Sequence, residues 1–135
     1  MTGEKLLELA IQAMEKAYAP YSGFKVGAAL LCADGTVYQG CNIENASYSP
    51  TNCAERTAFF KAVSEGKREF VAMAIVAGPR DGKLSTTAPC GVCRQVMAEF
   101  CKPEFRVLLG GEGDAYTCHT LAELLPHGFG PDNLQ

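Results

Sequence analysis

Two short stretches constrain this chain more than any other feature: Cys53-Ala54-Glu55 and Pro89-Cys90-Gly91-Val92-Cys93. Each follows polar or proline residues and precedes an amphipathic run, so each is predicted to place its thiols at the start of a helix. The partial positive charge and free N–H groups of a helix start lower a cysteine pKa and favour the thiolate, the form that binds metal. Three thiolates are soft ligands suited to zinc, and three protein ligands on a tetrahedral ion leave one position for water. Glu55, just past the first thiol, is placed to carry the proton of such a water. Plainer readings exist for each piece. Cys90-x-x-Cys93 alone also fits a redox pair or half of a structural zinc knuckle. Glu55 alone also fits a capping box with Asn52. A closed, purely structural site, as in a zinc-stabilised binding protein, would draw a fourth ligand from Cys41, Cys101, Cys118 or His119.

With 135 residues, 47% of them hydrophobic, the chain suffices for one core, and a single domain over residues 1–135 is expected. The net charge of -3 comes from 12 basic and 15 acidic residues dispersed along the chain. No basic face advertises nucleic acid, and a small neutral ligand suits better. The stretch Met1-Thr2-Gly3-Glu4-Lys5 lacks the charged-then-apolar pattern of a signal peptide, and no apolar run approaches a membrane span. A cytoplasmic protein is expected. An odd count of seven cysteines without a secretory signal argues for reduced thiols rather than disulfides.

Leu6, Leu9, Ala10, Ala13, Met14 and Ala17 recur at helical spacing after a Thr2 cap and predict a helix reaching Tyr18-Ala19-Pro20. Phe24–Cys32 and Thr36–Cys41 read as strands joined by a hairpin signal at Asp34-Gly35, with Cys32 and Cys41 as core residues. The polar stretch from Asn42 to Pro50 lies between a strand end and the Cys53 helix, where open α/β sheets gather ligands. Asn42 and Glu44 there fit either hydrogen bonds to sugar hydroxyls or Asx-type turn chemistry. A helix from Cys53 to about Glu65 is followed by a nearly continuous apolar strand, Phe70–Ala77, and a turn at Arg80-Asp81-Gly82-Lys83. A helix from Cys90, with Val92, Val96, Met97 and Phe100 turned inward, leads to a strand at Phe105–Leu109. After the Gly110–Asp114 stretch come a short strand at Ala115–Cys118 and a capping box, Thr120 with Glu123. Phe129 is conspicuous in an otherwise irregular tail. Alternating strands and helices with tight connections imply parallel crossovers, which bring the two helix starts to one edge of the sheet. Cys53, Cys90 and Cys93 then meet although distant in sequence.

Asn42-Ile43-Glu44-Asn45, Cys53-Ala54-Glu55-Arg56, Pro89-Cys90-Gly91-Val92-Cys93-Arg94-Gln95 and Leu124-Leu125-Pro126 with Phe129 together resemble the short-chain, homotetrameric cytidine deaminases over nearly the whole chain. The resemblance implies an α/β fold, a three-layer α/β/α sandwich around a mixed five-stranded sheet. It implies one zinc ion per subunit on Cys53, Cys90 and Cys93, with Glu55 as proton shuttle. It places Phe24, Asn42, Ile43, Glu44 and Ala54 on the nucleoside, sets Ala46 and Tyr48 near a subunit junction, and makes Phe129 the aromatic that reaches a neighbouring subunit's site. The implied reaction is hydrolytic deamination of cytidine and 2'-deoxycytidine, in a homotetramer with shared sites, without nucleic-acid or membrane partners. Three thiolates on zinc leave a net negative site; Arg56 is the nearest side chain able to offset one, its alternative being a surface ion pair. A deaminase of a cytosine nucleoside antibiotic such as blasticidin S shares the zinc motifs, although Asn42-x-Glu44-Asn45 favours a ribose.

Overall fold

The computed structural model describes residues 1–79, 82–113 and 115–135. In chain order the elements are α1 (Gly3–Met14), β1 (Phe24–Cys32), β2 (Val37–Cys41), α2 (Ala54–Ser64), β3 (Phe70–Pro79), α3 (Gly91–Phe100), β4 (Arg106–Gly110), β5 (Tyr116–Thr120) and α4 (Leu121–Leu124), then a 3-10 turn at Pro131–Leu134. The strands form one five-stranded sheet in the order β2-β1-β3-β4-β5. β3 and β4 run parallel while the other neighbours are antiparallel, so the sheet is mixed.

The apolar run of β3 is continuous because both of its faces are covered. Ala72, Ala74 and Val76 pack with Leu6, Leu7 and Ala10 of α1. Met73 and Ile75 pack with Phe59 of α2 and Met97 of α3. Phe59 is fully buried, its ring 5.2 Å from Phe70 and 6.1 Å from Phe105 between centroids. Gly40 lets α2 lie directly on β2: an added Cβ would run into the Ala54 carbonyl oxygen and sit 2.6 Å from the Ala58 nitrogen.

Several boundaries differ from the sequence reading. α1 ends at Met14, ahead of Tyr18, because the Tyr18 backbone is taken by a distant segment: its N–H donates to the Asn42 carbonyl at 3.0 Å and its carbonyl accepts from Glu44 at 2.9 Å. β3 continues to Pro79, which pairs with Phe24, and β5 is shifted to Tyr116–Thr120 by its register on β4. The Thr120–Glu123 capping box is present. Cys32 enters the core, whereas Cys41 stays half-buried at the end of β2. Val92 is exposed rather than inward, since it lies in the first turn of α3 between two cysteines that face the cluster. Arg80 and Asp81 of the expected turn, and Asp114 of the glycine-rich stretch, lie outside the described residues.

Candidate active site

The sheet brings the start of β1 beside the ends of β2 and β3, with Phe24 opposite Pro79 and Gly27 opposite Cys41. Cys53 is the N-cap of α2, Cys90 the N-cap of α3, and Cys93 lies one turn into α3. Their sulfurs all lie within 4.8 Å of one another. Cys53 and Cys90 are 3.8 Å apart and Cys90 and Cys93 3.5 Å. Tetrahedral zinc with Zn–S bonds of about 2.3 Å requires sulfur separations of about 3.8 Å, so the three residues fit that ion. Among the described residues the group has three members; Cys41, Cys101, Cys118 and His119 are not part of it, which removes the closed four-ligand alternative.

The cluster is electrostatically asymmetric. Hydrogen bonding from the Cys93 thiol, aided by Arg56 and Cys90, brings Cys53 down to about 5. The same contact with Cys53, reinforced by burial, pushes Cys93 well above the ordinary thiol range. Arg56 Nη2 donates to the Cys53 sulfur at 3.3 Å, and Arg56 has no carboxylate ion-pair partner among the described residues, so it is a thiolate partner rather than half of a surface pair.

Glu55 is 5% exposed. Burial pushes its carboxyl up to about 7, with the Cys53 sulfur adding to the rise and Arg56 opposing it. The capping-box reading of Glu55 falls away, because the cap is Cys53 and Asn52 instead donates from Nδ2 to Thr57 Oγ1 at 3.1 Å. Thr57 itself was not singled out from sequence. Its hydroxyl lies 3.0 Å from the Cys41 carbonyl and 3.1 Å from the Cys53 carbonyl, tying the start of α2 to the end of β2.

Within the polar loop Asn45 makes an Asx turn, its Oδ1 accepting from the Ser47 amide at 3.0 Å, whereas Asn42 and Glu44 bond to segments distant in sequence. Asn42 is buried, and its Oδ1 accepts from the Val26 amide at 2.8 Å while Nδ2 donates to the Phe24 carbonyl at 2.9 Å. Each group retains capacity for one further hydrogen bond. Glu44 accepts from the Tyr21 and Ser22 amides at 3.0 and 3.1 Å and from the Ser22 hydroxyl, which holds its carboxyl below the ordinary range. Ser22 was likewise missed, for its link to Glu44 is non-local. Tyr21, Ser22, Glu44, Tyr48 and Thr51 line a cleft. Ile43 pairs through its backbone with Asn52 and exposes its side chain. Tyr48 is exposed in the left-handed region at φ 64°, edge-on to Tyr21 at 6.3 Å. Ala46 is exposed, Phe24 half-buried and Ala54 buried. Phe129 is 56% exposed, with its carbonyl held by Gln95.

Residues 1–109 match the family model described as the cytidine and deoxycytidylate deaminase zinc-binding region. The chain is 56% identical over 135 residues to the cytidine deaminase of Sporosarcina psychrophila, covering 99% of this chain and 96% of that protein. It is similar to the crystal structure of cytidine deaminase from Burkholderia pseudomallei, with a TM-score of 0.88, 50% identity and coverage of 96% of this chain and 100% of that one. The blasticidin-S deaminase of Bacillus cereus is more distant, 32% identical over 126 residues, 89% of each chain. A zinc-fitting trio of thiols at two helix starts, within a mixed five-stranded sheet shared with these enzymes, places the chain in the zinc-dependent cytidine and deoxycytidylate deaminase family.

Proposed function

We propose that this chain, as one domain, hydrolytically deaminates cytidine and 2'-deoxycytidine to uridine and 2'-deoxyuridine with release of ammonia. The observation that carries this reading is the convergence of three thiols with one coordination position to spare, beside a buried carboxyl. Zinc held by Cys53, Cys90 and Cys93 supplies the Lewis acidity that makes water a nucleophile at neutral pH. Glu55 receives one proton of the water that adds at C4 and delivers it to N3 of the pyrimidine. It then takes the remaining proton from the C4 hydroxyl and hands it to the amine, which leaves as ammonia as the C4–N bond breaks and the C4 carbonyl forms. A single carboxyl so serves first as base and then as acid. Arg56 offsets the charge of the Cys53 thiolate. The Ala54 backbone meets the pyrimidine, Phe24 and Ile43 line the nucleoside pocket, and the spare hydrogen-bonding capacity of Asn42 and Glu44 receives the sugar hydroxyls.

The difference between 56% identity to a cytidine deaminase and 32% to a blasticidin-S deaminase supports the nucleoside over the antibiotic. A homotetramer with shared sites accounts for the exposed Tyr18, Tyr21, Ile43, Tyr48 and Phe129, an amount of apolar surface that association would cover. Phe129 then closes over the base in a neighbouring subunit, with Ala46 and Tyr48 at the junction. The corresponding biological role is pyrimidine salvage in the cytoplasm. No helix among the described residues is long and apolar enough to cross a membrane.

The test is the fall in absorbance as cytidine becomes uridine, in wild type and Glu55→Ala at measured zinc content. Wild type converts cytidine, and Glu55→Ala keeps its zinc while losing at least about 100-fold in turnover. Equal turnover in the two proteins would remove the role of Glu55. No conversion by either, with zinc in both, would remove the substrate.

A further inference from the structure

Two consecutive side chains follow the last cysteine of the cluster, and the chemistry above uses neither. Arg94 Nε donates to the Pro89 carbonyl at 2.8 Å, and Nη1 donates to the Leu124 carbonyl at 2.6 Å. Gln95 Nε2 donates to the Phe129 carbonyl at 2.8 Å. Pro89 precedes Cys90, Leu124 ends α4, and Phe129 is the exposed aromatic of the tail. The segment between Leu124 and Phe129 belongs to no helix or strand and turns through His127 at φ 56°. Its two ends are thus pinned by neighbouring residues of the helix that carries Cys90 and Cys93. One turn further along α3, Gly130 lies against the Ala98 carbonyl, where an added Cβ would sit 3.6 Å away.

We propose that Gln95, supported by Arg94, is a positioning residue that registers Phe129 against the zinc-bearing helix, so that nucleoside affinity depends on a side chain touching neither substrate nor metal. The proposal rests on the reading of Phe129 as the aromatic that covers the base. An irregular segment presenting a ring to a ligand loses affinity in proportion to the conformations it samples, and a tether at its end removes most of them. Gln95 supplies the tether through an N–H donor. Glutamate at that position is nearly isosteric and, when ionised, offers only acceptors to the carbonyl, whereas lysine keeps a donor.

The experiment compares KM and kcat for cytidine in zinc-loaded wild type, Gln95→Glu, Gln95→Lys, Phe129→Ala and the double variant Gln95→Glu/Phe129→Ala. Loss of the hydrogen bond is expected to raise KM about five- to tenfold, with a smaller change in kcat and full zinc content, and lysine should recover most of the loss. If Gln95 acts through Phe129, Gln95→Glu adds nothing once the ring is gone. The chain contains no tryptophan and five tyrosines, so Phe129→Trp gives a single tryptophan which, excited at the red edge where tyrosine does not absorb, reports the tail through its anisotropy without any turnover; Gln95→Glu in that background should lower it. Unchanged anisotropy, or an equal rise in KM with and without the Phe129 ring, would overturn the tether. A wild-type KM in Phe129→Ala together with a lowered anisotropy would keep the tether but overturn the role of Phe129, and with it the predicted effect on affinity.

Discussion

Arg56 approaches the Cys53 sulfur to 3.3 Å through Nη2 while its own buried Nε has no hydrogen-bond partner among the described residues. A buried, unpaired donor costs about 1–3 kcal/mol, so the arrangement persists because the guanidinium gains more from the thiolate than it loses at Nε. Replacing Arg56 with Gln removes the cation and lets the Cys53 pKa climb. Zinc affinity, read by competition with a chelator, should fall about 10- to 100-fold, as for other residues that hydrogen-bond a metal ligand. Undiminished affinity would show that the guanidinium does not support the ligand.

Asn42 acts as a side-chain extension of the sheet, satisfying one donor and one acceptor of β1. In Asn42→Ala both backbone groups lose their partner in a region that is partly buried. Urea denaturation of the metal-free protein should show a loss of about 1–3 kcal/mol, separate from any change in KM. A variant as stable as wild type would mean that water replaces the amide at no cost.

Gly40→Ala tests the contact between β2 and α2. Its methyl group meets the Ala54 carbonyl and the Ala58 nitrogen, both in the first turns of the helix that Cys53 caps. Overpacking of this kind costs about 1–3 kcal/mol. Because the displaced turn carries Cys53 and Glu55, zinc affinity and turnover should fall together. A variant that loses stability but keeps both would show that the helix start moves independently of the site.

Asp34 and Lys67 join the β1–β2 hairpin to the segment leading into β3. The hydrogen bond from the Lys67 ammonium, followed by those from Thr36, lowers Asp34 from its usual 3.8 to about 2. Asp34 correspondingly raises Lys67 above its usual 10.5. A lowered acid contributes stability above its unfolded pKa and loses it as pH falls through the folded value; a raised base loses its contribution as pH climbs through its folded value. Melting temperatures of metal-free wild type and Asp34→Asn should therefore differ between about pH 4 and pH 10 and converge toward about pH 2. The pair is exposed, so the difference is small. A gap that persists unchanged at about pH 2 would assign it to something other than the ion pair.

Local pattern made much of the architecture legible. Both faces of β3 demanded apolar residues, Asp34-Gly35 marked the hairpin, Thr120 and Glu123 formed their capping box, and alternating elements foretold that the two cysteine-bearing helix starts would meet. What escaped notice depended on partners remote in sequence. Helical spacing carries α1 past Met14 because nothing near Tyr18 reveals that Asn42 and Glu44 claim its backbone. The hydrogen bonds of Asn42 to β1, of Glu44 to Ser22 and of Thr57 to the ends of β2 and α2 escape periodicity for the same reason. Asn52 and Glu55 had the right spacing for a capping box, yet the helix begins one residue later than that box requires.

Cys53 and Cys90 stand where serine, threonine, aspartate or asparagine would each contribute about 1 kcal/mol by bonding the free amides of the first turn. Neither makes such a bond. Both helices thus begin without a cap side chain on their first amides, and the two cap cysteines, 37 positions apart in the chain, lie together at one point. An ion that grips both sulfurs acts as a rivet between them, and removing it loosens two helices in one event. Amide hydrogens near the starts of α2 and α3, at Glu55, Arg56, Val92 and Cys93, should accordingly exchange in concert as zinc is withdrawn, marking the metal as a fastener of the scaffold as well as an agent of its chemistry.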